Sequence, residues 1–242
     1  MQNLNQQLKN TLFIDIETVS SHASFTEMDD RKQKLWEKKS STFKSDTDKT
    51  PQDFFQEKAA IFAEFGKVIC IGMGAFYENK EGELCFKVKS LGGDDEKALL
   101  IDFKNIIEDH KSKKDLILCA HNGKEFDFPY LCRRMLVNGI TLPHILKISG
   151  KKPWEINHVD TMELWKFGDY KHFTSLDLLS AIFDIPSSKS EIDGSDVNRV
   201  YYEEKDLEKI QKYCRADVVV LAQLFLKLNG EGLIPEERIF QS

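Results

Sequence analysis

The chain has 242 residues, 41% hydrophobic and 31% charged, with 34 Lys and Arg against 40 Asp and Glu and a formal charge of −6. That length suits one α/β domain with a single core, and the 17 Phe, 13 Gly and mixed composition exclude collagen, coiled coil and disorder. No apolar run approaches the ~18–20 residues of a membrane span. Residues 1–10 are polar and do not read as a signal peptide, so a cytoplasmic chain with no membrane partner is expected. The cysteines are five, an odd number without a C-x-x-C pair. Cys70, Cys85, Cys119 and Cys214 lie in apolar runs and read as buried free thiols. The acidic balance argues against a non-specific nucleic-acid binder but not against an enzyme on phosphodiesters, whose cations offset its own carboxylates.

In chain order, residues 12–19 read as a strand, and residues 20–62 as an insertion into the domain. The insertion is charged, with Phe25, Leu35, Trp36 and Phe43 in one or two short helices. Thr50-Pro51 opens a helix, Thr as N-cap and Pro in the first turn, that is expected to run to Gly66. Strands follow at 67–77 and 83–90, joined as a hairpin through 79–82. An amphipathic helix at 98–110 precedes a short buried strand at 115–120 and a helix at 127–138 that ends at Gly139. Residues 143–153 form a basic connection, 158–160 a strand edge, 176–183 a helix, 186–199 a polar loop and 204–228 a long closing helix. This order predicts an α/β fold whose mixed sheet has antiparallel first three strands, then parallel ones, with helices on both faces.

Three elements carry carboxylates into apolar surroundings. Asp15 and Glu17 are two apart on the first strand, so they share a face with Phe13 while Ile14 and Ile16 take the other. Either they face solvent on a half-exposed strand or they need a cation, because buried unpaired carboxylates cost several kcal/mol. On the closing helix, Asp217 falls in the middle of the stripe formed by Ile210, Cys214, Leu221, Leu224 and Leu228, with Tyr213 one turn earlier on the same side. Arg215 and Lys212 point outward on the same wheel and offer no partner. Asp217 thus either interrupts the stripe or meets a metal. Asp127, two before Pro129, either caps its helix or joins the others at the strand-to-helix edge where α/β sheets hold ligands. Hard oxygen ligands without a His or Cys cluster suit Mg²⁺ or Mn²⁺.

Together these residues resemble the DEDD 3′–5′ exonuclease superfamily, of ribonuclease H-like fold. The first motif is similar to Phe13-Ile-Asp15-Ile-Glu17-Thr18, the second to His121-Asn122-Gly123-x-x-Phe126-Asp127, and the third, Tyr213-x-x-x-Asp217, to the tyrosine variant. The likeness is greatest to a predicted exonuclease family related to the proofreading domain of B-family DNA polymerases, supported by residues 66–72 and by Ile192-Asp193-Gly194-Ser195. The chain departs from the family in its long 20–62 insertion, and it ends soon after the third motif, so no polymerase domain is expected.

The resemblance implies a two-metal mechanism with two divalent cations, Mg²⁺ or Mn²⁺. Asp15, Glu17 and Asp217 would hold the cation that carries the attacking water, and Asp15 would bridge to a second one reached by Asp127. Tyr213 would orient the water and help deprotonate it. Thr18, Asn122 and Phe126 would meet substrate, although Asn122 reads equally as a helix cap and Phe126 as a core residue. The implied substrate is single-stranded nucleic acid or a frayed 3′ end, DNA rather than RNA, and the products are nucleoside 5′-monophosphates.

Lys147, Lys151, Lys152 and Trp154, and Lys166, Lys171 and His172, are candidates for a strand path or a solvated surface; Lys38, Lys39 and Lys44 for a lid or a passive insertion. Lys189 and residues 193–195 lie in a loop that the resemblance marks without a physical reason. His121, His158 and His172 show no ligand spacing. Three rivals stay open. One is an exoribonuclease of the same superfamily, and one is a catalytically idle, nuclease-like binding module. The third is a phosphatase of the haloacid-dehalogenase type, which Asp15-x-Glu17-Thr18 and Gly93-Asp94-Asp95 resemble but which leaves Asp217 unexplained.

Overall fold

A computed structural model of the chain describes residues 4–43, 49–110, 115–169, 173–186 and 192–242. Lys44, Lys171, His172 and Lys189, which the sequence offered as contacts, lie outside the described residues. The elements follow in the order α1 (Leu4–Lys9), β1 (Thr11–Ser20), α2 (Asp30–Ser40), α3 (Pro51–Lys58), β2 (Gly66–Glu78), β3 (Leu84–Gly92), α4 (Glu96–Asp109), β4 (Ile117–Ala120), α5 (Asp127–Val137), β5 (Val159–Asp160), α6 (Thr161–Lys166), α7 (Leu176–Ile182), α8 (Val197–Arg199), α9 (Leu207–Leu228) and β6 (Ile239–Gln241). The six strands lie in the order β5-β4-β1-β2-β3-β6. β1, β2 and β3 are antiparallel, β4 and β5 run parallel to β1, and β6 runs parallel to β3.

Alternation along β1 separates two cores. Leu12, Ile14 and Ile16 pack with Leu99, Phe103, Phe128, Leu131 and Met135 of α4 and α5. Phe13 turns the other way onto Phe225, Phe76 and Phe86 beside α9, so Asp15 and Glu17 share the α9 face, as their spacing predicts. Thr50 closes a reciprocal cap with Asp53 at the start of α3. The helix ends at Lys58, well before Gly66, because a tight turn over residues 59–61 and the bonds of Phe65 and Gly66 back to Phe62 redirect the chain into β2. The insertion has a small aromatic core of its own, in which Trp36 is fully buried among Phe43, Phe55, Phe62 and Phe65.

Several elements differ from expectation. α1, α6 and β6 were not anticipated, being three to six residues long and too short for a periodicity to show. The closing helix begins at Leu207, because Asp206 caps it after a wide π-type turn at Val200–Glu204. Arg215 does not simply point outward: its guanidinium donates to Ser90 on β3 and to Glu208. No described helix is long and apolar enough to cross a membrane.

Candidate active site

The site forms where β1 outruns its neighbour. β4 pairs with β1 only through Thr11, Leu12 and Phe13, whereas β1 continues to Ser20. Beyond that point the β4 side of β1 lies open, and the N-terminus of α5 moves into the gap. Phe126 occupies the N-cap position without a side-chain bond, so Asp127 is the first helical residue and not a cap. The backbone N–H of Ile16 instead acts on its carboxylate and favours the charged form. Asp127 therefore reaches β1 between Asp15 and Glu17, from the sheet face opposite to α9.

α9 brings the remaining groups. Gly72 faces Asp15 across the β1–β2 pairing. A Cβ there would stand 2.8 Å from Cys214 Sγ and 2.8 Å from a Val218 methyl, so the missing side chain lets the helix lie against the sheet. The Cys214 thiol donates to the Asp15 carbonyl at 3.5 Å and to Asp15 Oδ2 at 3.4 Å. Donor atoms of Asp15, Glu17 and Cys214 lie within 4.8 Å of one another, a grouping that can hold a metal ion. The Tyr213 hydroxyl acts on the Asp217 carboxylate and favours its charged form.

Asp127 and Asp217 stand outside that grouping but act on it through charge. Burial, then Asp217 and Asp127, raises Asp15 well above the usual carboxylate range. Burial, then Asp15 and Asp217, does the same for Glu17. Burial pushes Asp127 up to about 7, with Asp160 adding and two backbone N–H groups opposing. Burial likewise brings Asp217 to about 6, with the Tyr213 hydroxyl opposing and Asp177 adding. Tyr213 is raised by burial and then by Asp217, Glu17 and Asp15. Glu17 is 7% exposed, and every neighbouring charge on it is negative. Oxygen donors of which Glu17 and Asp127 are buried and Asp15 and Asp217 half-buried, with no described cation acting on them, match the chemistry of a hard divalent ion.

The other expected substrate contacts are placed differently. Thr18 commits its hydroxyl to the Ala60 carbonyl at 2.9 Å, so that group holds backbone. Asn122 adopts a left-handed backbone (φ 61°) and does not cap α5; its carbonyl accepts from Glu125 and Phe126, while its buried Oδ1 has no partner. Phe126 is half-buried, 5.3 Å from the Tyr130 ring. Lys39 lies 4.0 Å over the Phe62 ring, within the insertion's own core. Lys152 stacks over the exposed Trp154. Ile192 gives a physical reason for the segment that the resemblance marks, since it packs with Val19, Cys70 and Cys214 beneath the site.

Sequence reasoning missed Asp160 and Asp177, while His121 and His158 are the ordinary polar residues it expected. Buried Asp160 accepts from the backbone N–H groups of Asn122, Lys124 and Met162, fixing the loop before Asp127. A polar residue before a helix start is its one local signal. His121 bridges Thr161 and the Thr174 carbonyl. His158 accepts the Leu118 N–H, and burial lowers it to about 4. Both are ordinary structural residues.

A profile of the family described as a predicted 3′–5′ exonuclease related to the exonuclease domain of PolB matches residues 61–234. The span includes Asn122, Phe126, Asp127, Tyr213 and Asp217; Asp15, Glu17 and Thr18 precede it and are brought to it by β1. No curated protein matches the sequence. The structure of the family B DNA polymerase from the hyperthermophilic archaeon Pyrobaculum calidifontis is similar, with a TM-score of 0.54 and 13% identity over 90% of this chain. The chain spans 24% of that polymerase's length. At this identity the likeness is one of fold, the ribonuclease H-like mixed sheet.

Proposed function

Because the chain belongs to the family of predicted 3′–5′ exonucleases related to the exonuclease domain of PolB, we propose that it removes nucleotides from the 3′ end of single-stranded nucleic acid, DNA in preference to RNA, releasing nucleoside 5′-monophosphates. The observation that carries this reading is the pairing of Asp15 with Glu17 within ligand distance, with Asp127 and Asp217 acting on both through charge and no described cation among the influences on them. Asp15, Glu17 and Asp217 would hold one divalent cation, and Asp15 with Asp127 a second, Mg²⁺ or Mn²⁺. When bound, such cations supply the charge that activates water and stabilises the departing 3′ oxygen.

The protein's own groups do the rest. Burial and three carboxylates keep Tyr213 a phenol, so its O–H, beside Asp217, orients the attacking water. Asn122 presents a buried, unpartnered Oδ1 beside the loop that Asp160 fixes; an incoming nucleotide that donates a hydrogen bond would satisfy it. Phe126, half-buried at the start of α5, would stack on the terminal base.

The test uses 5′-labelled DNA and RNA of matched sequence with Mg²⁺, Mn²⁺ or EDTA, beside the Asp15→Ala protein. The expected result is a metal-dependent ladder shortening from the 3′ end, faster on DNA and absent in the variant. Strands that bind without being shortened would make the protein an idle binding module. A faster RNA ladder would make it an exoribonuclease.

A further inference from the structure

α5 reaches β1 near Asp127 and, through the Ala60 carbonyl that Thr18 also binds, is tied to it again beyond Glu17. Ahead of it, the Ile16 N–H acts on the Asp127 carboxylate and favours its charged form. Behind it, the fully buried Tyr130, one helical turn from Asp127, donates its hydroxyl to the Ala60 carbonyl at 2.8 Å. Thr18 donates to that same carbonyl at 2.9 Å. Asp127 and Tyr130 are i and i+3, neighbours on one helix face, so the two links act through one rigid element. The next turn adds a third hold, Arg134 to the Ala63 carbonyl at 2.8 Å. Space is set around the knot: a Cβ at Gly66 would stand 2.2 Å from the Tyr130 hydroxyl and 2.8 Å from the Ala60 carbonyl oxygen.

The Ala60 carbonyl lies near the end of the 20–62 insertion. The segment therefore supplies the point against which β1 and α5 are registered. A carboxylate that must meet a cation within a few tenths of an ångström is sensitive to such supports.

We propose that Tyr130 is a positioning residue, which together with Thr18 and Ala60 sets the reach of Asp127 into the carboxylate cluster and so the affinity for the cation shared by Asp15 and Asp127. The inference rests on the two-cation reading of the site. It makes the insertion part of the catalytic frame.

Manganese binding to the full chain, followed by the electron paramagnetic resonance of free Mn²⁺, tests it in Tyr130→Phe, Thr18→Val and Thr18→Ser. In Tyr130→Phe the Ala60 carbonyl keeps its bond from Thr18, so the fold survives. One ion binds as in the native protein and the other on the order of 10–100-fold more weakly. Thr18→Val shows the same split, and Thr18→Ser, which keeps the hydroxyl, restores the second ion. If Tyr130→Phe does not fold, the Thr18 pair decides alone. Isotherms that superpose on the native one, or that weaken both ions equally with a lower melting temperature, overturn the proposal. So does Thr18→Val binding like Thr18→Ser. Two-ion binding by a native protein that makes no ladder would refute the exonuclease activity and leave the positioning result standing.

Discussion

Gly72 lies directly across from Asp15 in the β1–β2 pairing, and the space its side chain would take is filled by Cys214 and Val218 of α9. Gly72→Ala must push the helix outward, because a Cys214 backbone oxygen also lies 3.0 Å from the added carbon. Overpacking of this kind costs about 1–3 kcal/mol. Urea unfolding should show that loss, and exonuclease activity should fall further than stability does, because Tyr213 and Asp217 ride on the displaced helix.

Removing a cluster carboxylate should separate stability from activity. Asp15→Asn and Asp217→Asn keep the shape of the side chain and relieve repulsion between buried like charges. In EDTA each variant should be more stable than the native protein by about 1 kcal/mol. Added Mg²⁺ should raise the melting temperature of the native protein and raise theirs far less. Activity should drop by on the order of 10³-fold. A variant that keeps full turnover would remove its residue from the site.

The raised carboxylates also fix the sign of a pH effect. Asp127 at about 7 and Asp217 at about 6 bind protons more tightly in the folded state than the ordinary carboxylate at 3.8. Their contribution to stability is fully present below about pH 4 and is lost as pH rises through 6 and 7. Without metal, the melting temperature should therefore fall between pH 5 and 8 on their account. Mg²⁺ should reverse the trend, stabilising more at pH 8 than at pH 5. Differential scanning fluorimetry in EDTA and in Mg²⁺ across that range reads both slopes.

Away from the carboxylate cluster, the Glu96 carboxylate accepts from Arg134 Nε and Nη2, from Asn138 and from the Val68 N–H. Arg134→Ala leaves that carboxylate buried without its cation. The expected cost is about 3–5 kcal/mol, read by denaturant unfolding. Arg134→Met together with Glu96→Gln should recover part of it, since the uncompensated charge is then gone.

What could be read from the sequence follows what is local. Asp15 and Glu17 declare their shared face through the two-residue period of β1, and Asp217 through the helical period of α9. Asp127 could not be resolved that way, because a first-turn Asp is the same in sequence whether it caps a helix or crosses to another strand; only the truncated β4 decides. Thr18 reads as part of an acidic motif, and nothing local points to Ala60, 42 residues on. Cys214 reads as a core thiol and is one, yet its place against Asp15 depends on a glycine in a different strand. α6, with six residues, and β5, with two, are too short to carry a pattern, while Asp160, which ends β5 and caps α6, organises the second motif's loop.

The early end of β4 has a consequence for the fold's history. The carboxylates meet through a notch in the sheet and not on one of its faces, since α5 and α9 lie on opposite sides of it. Were β4 to continue two or three residues along β1, its backbone would take the Ile16 N–H and shut Asp127 out. The sheet would gain hydrogen bonds, and all four acidic residues would still stand in the sequence. An inactive descendant of this architecture can thus keep every motif intact and betray itself only by the length of one strand.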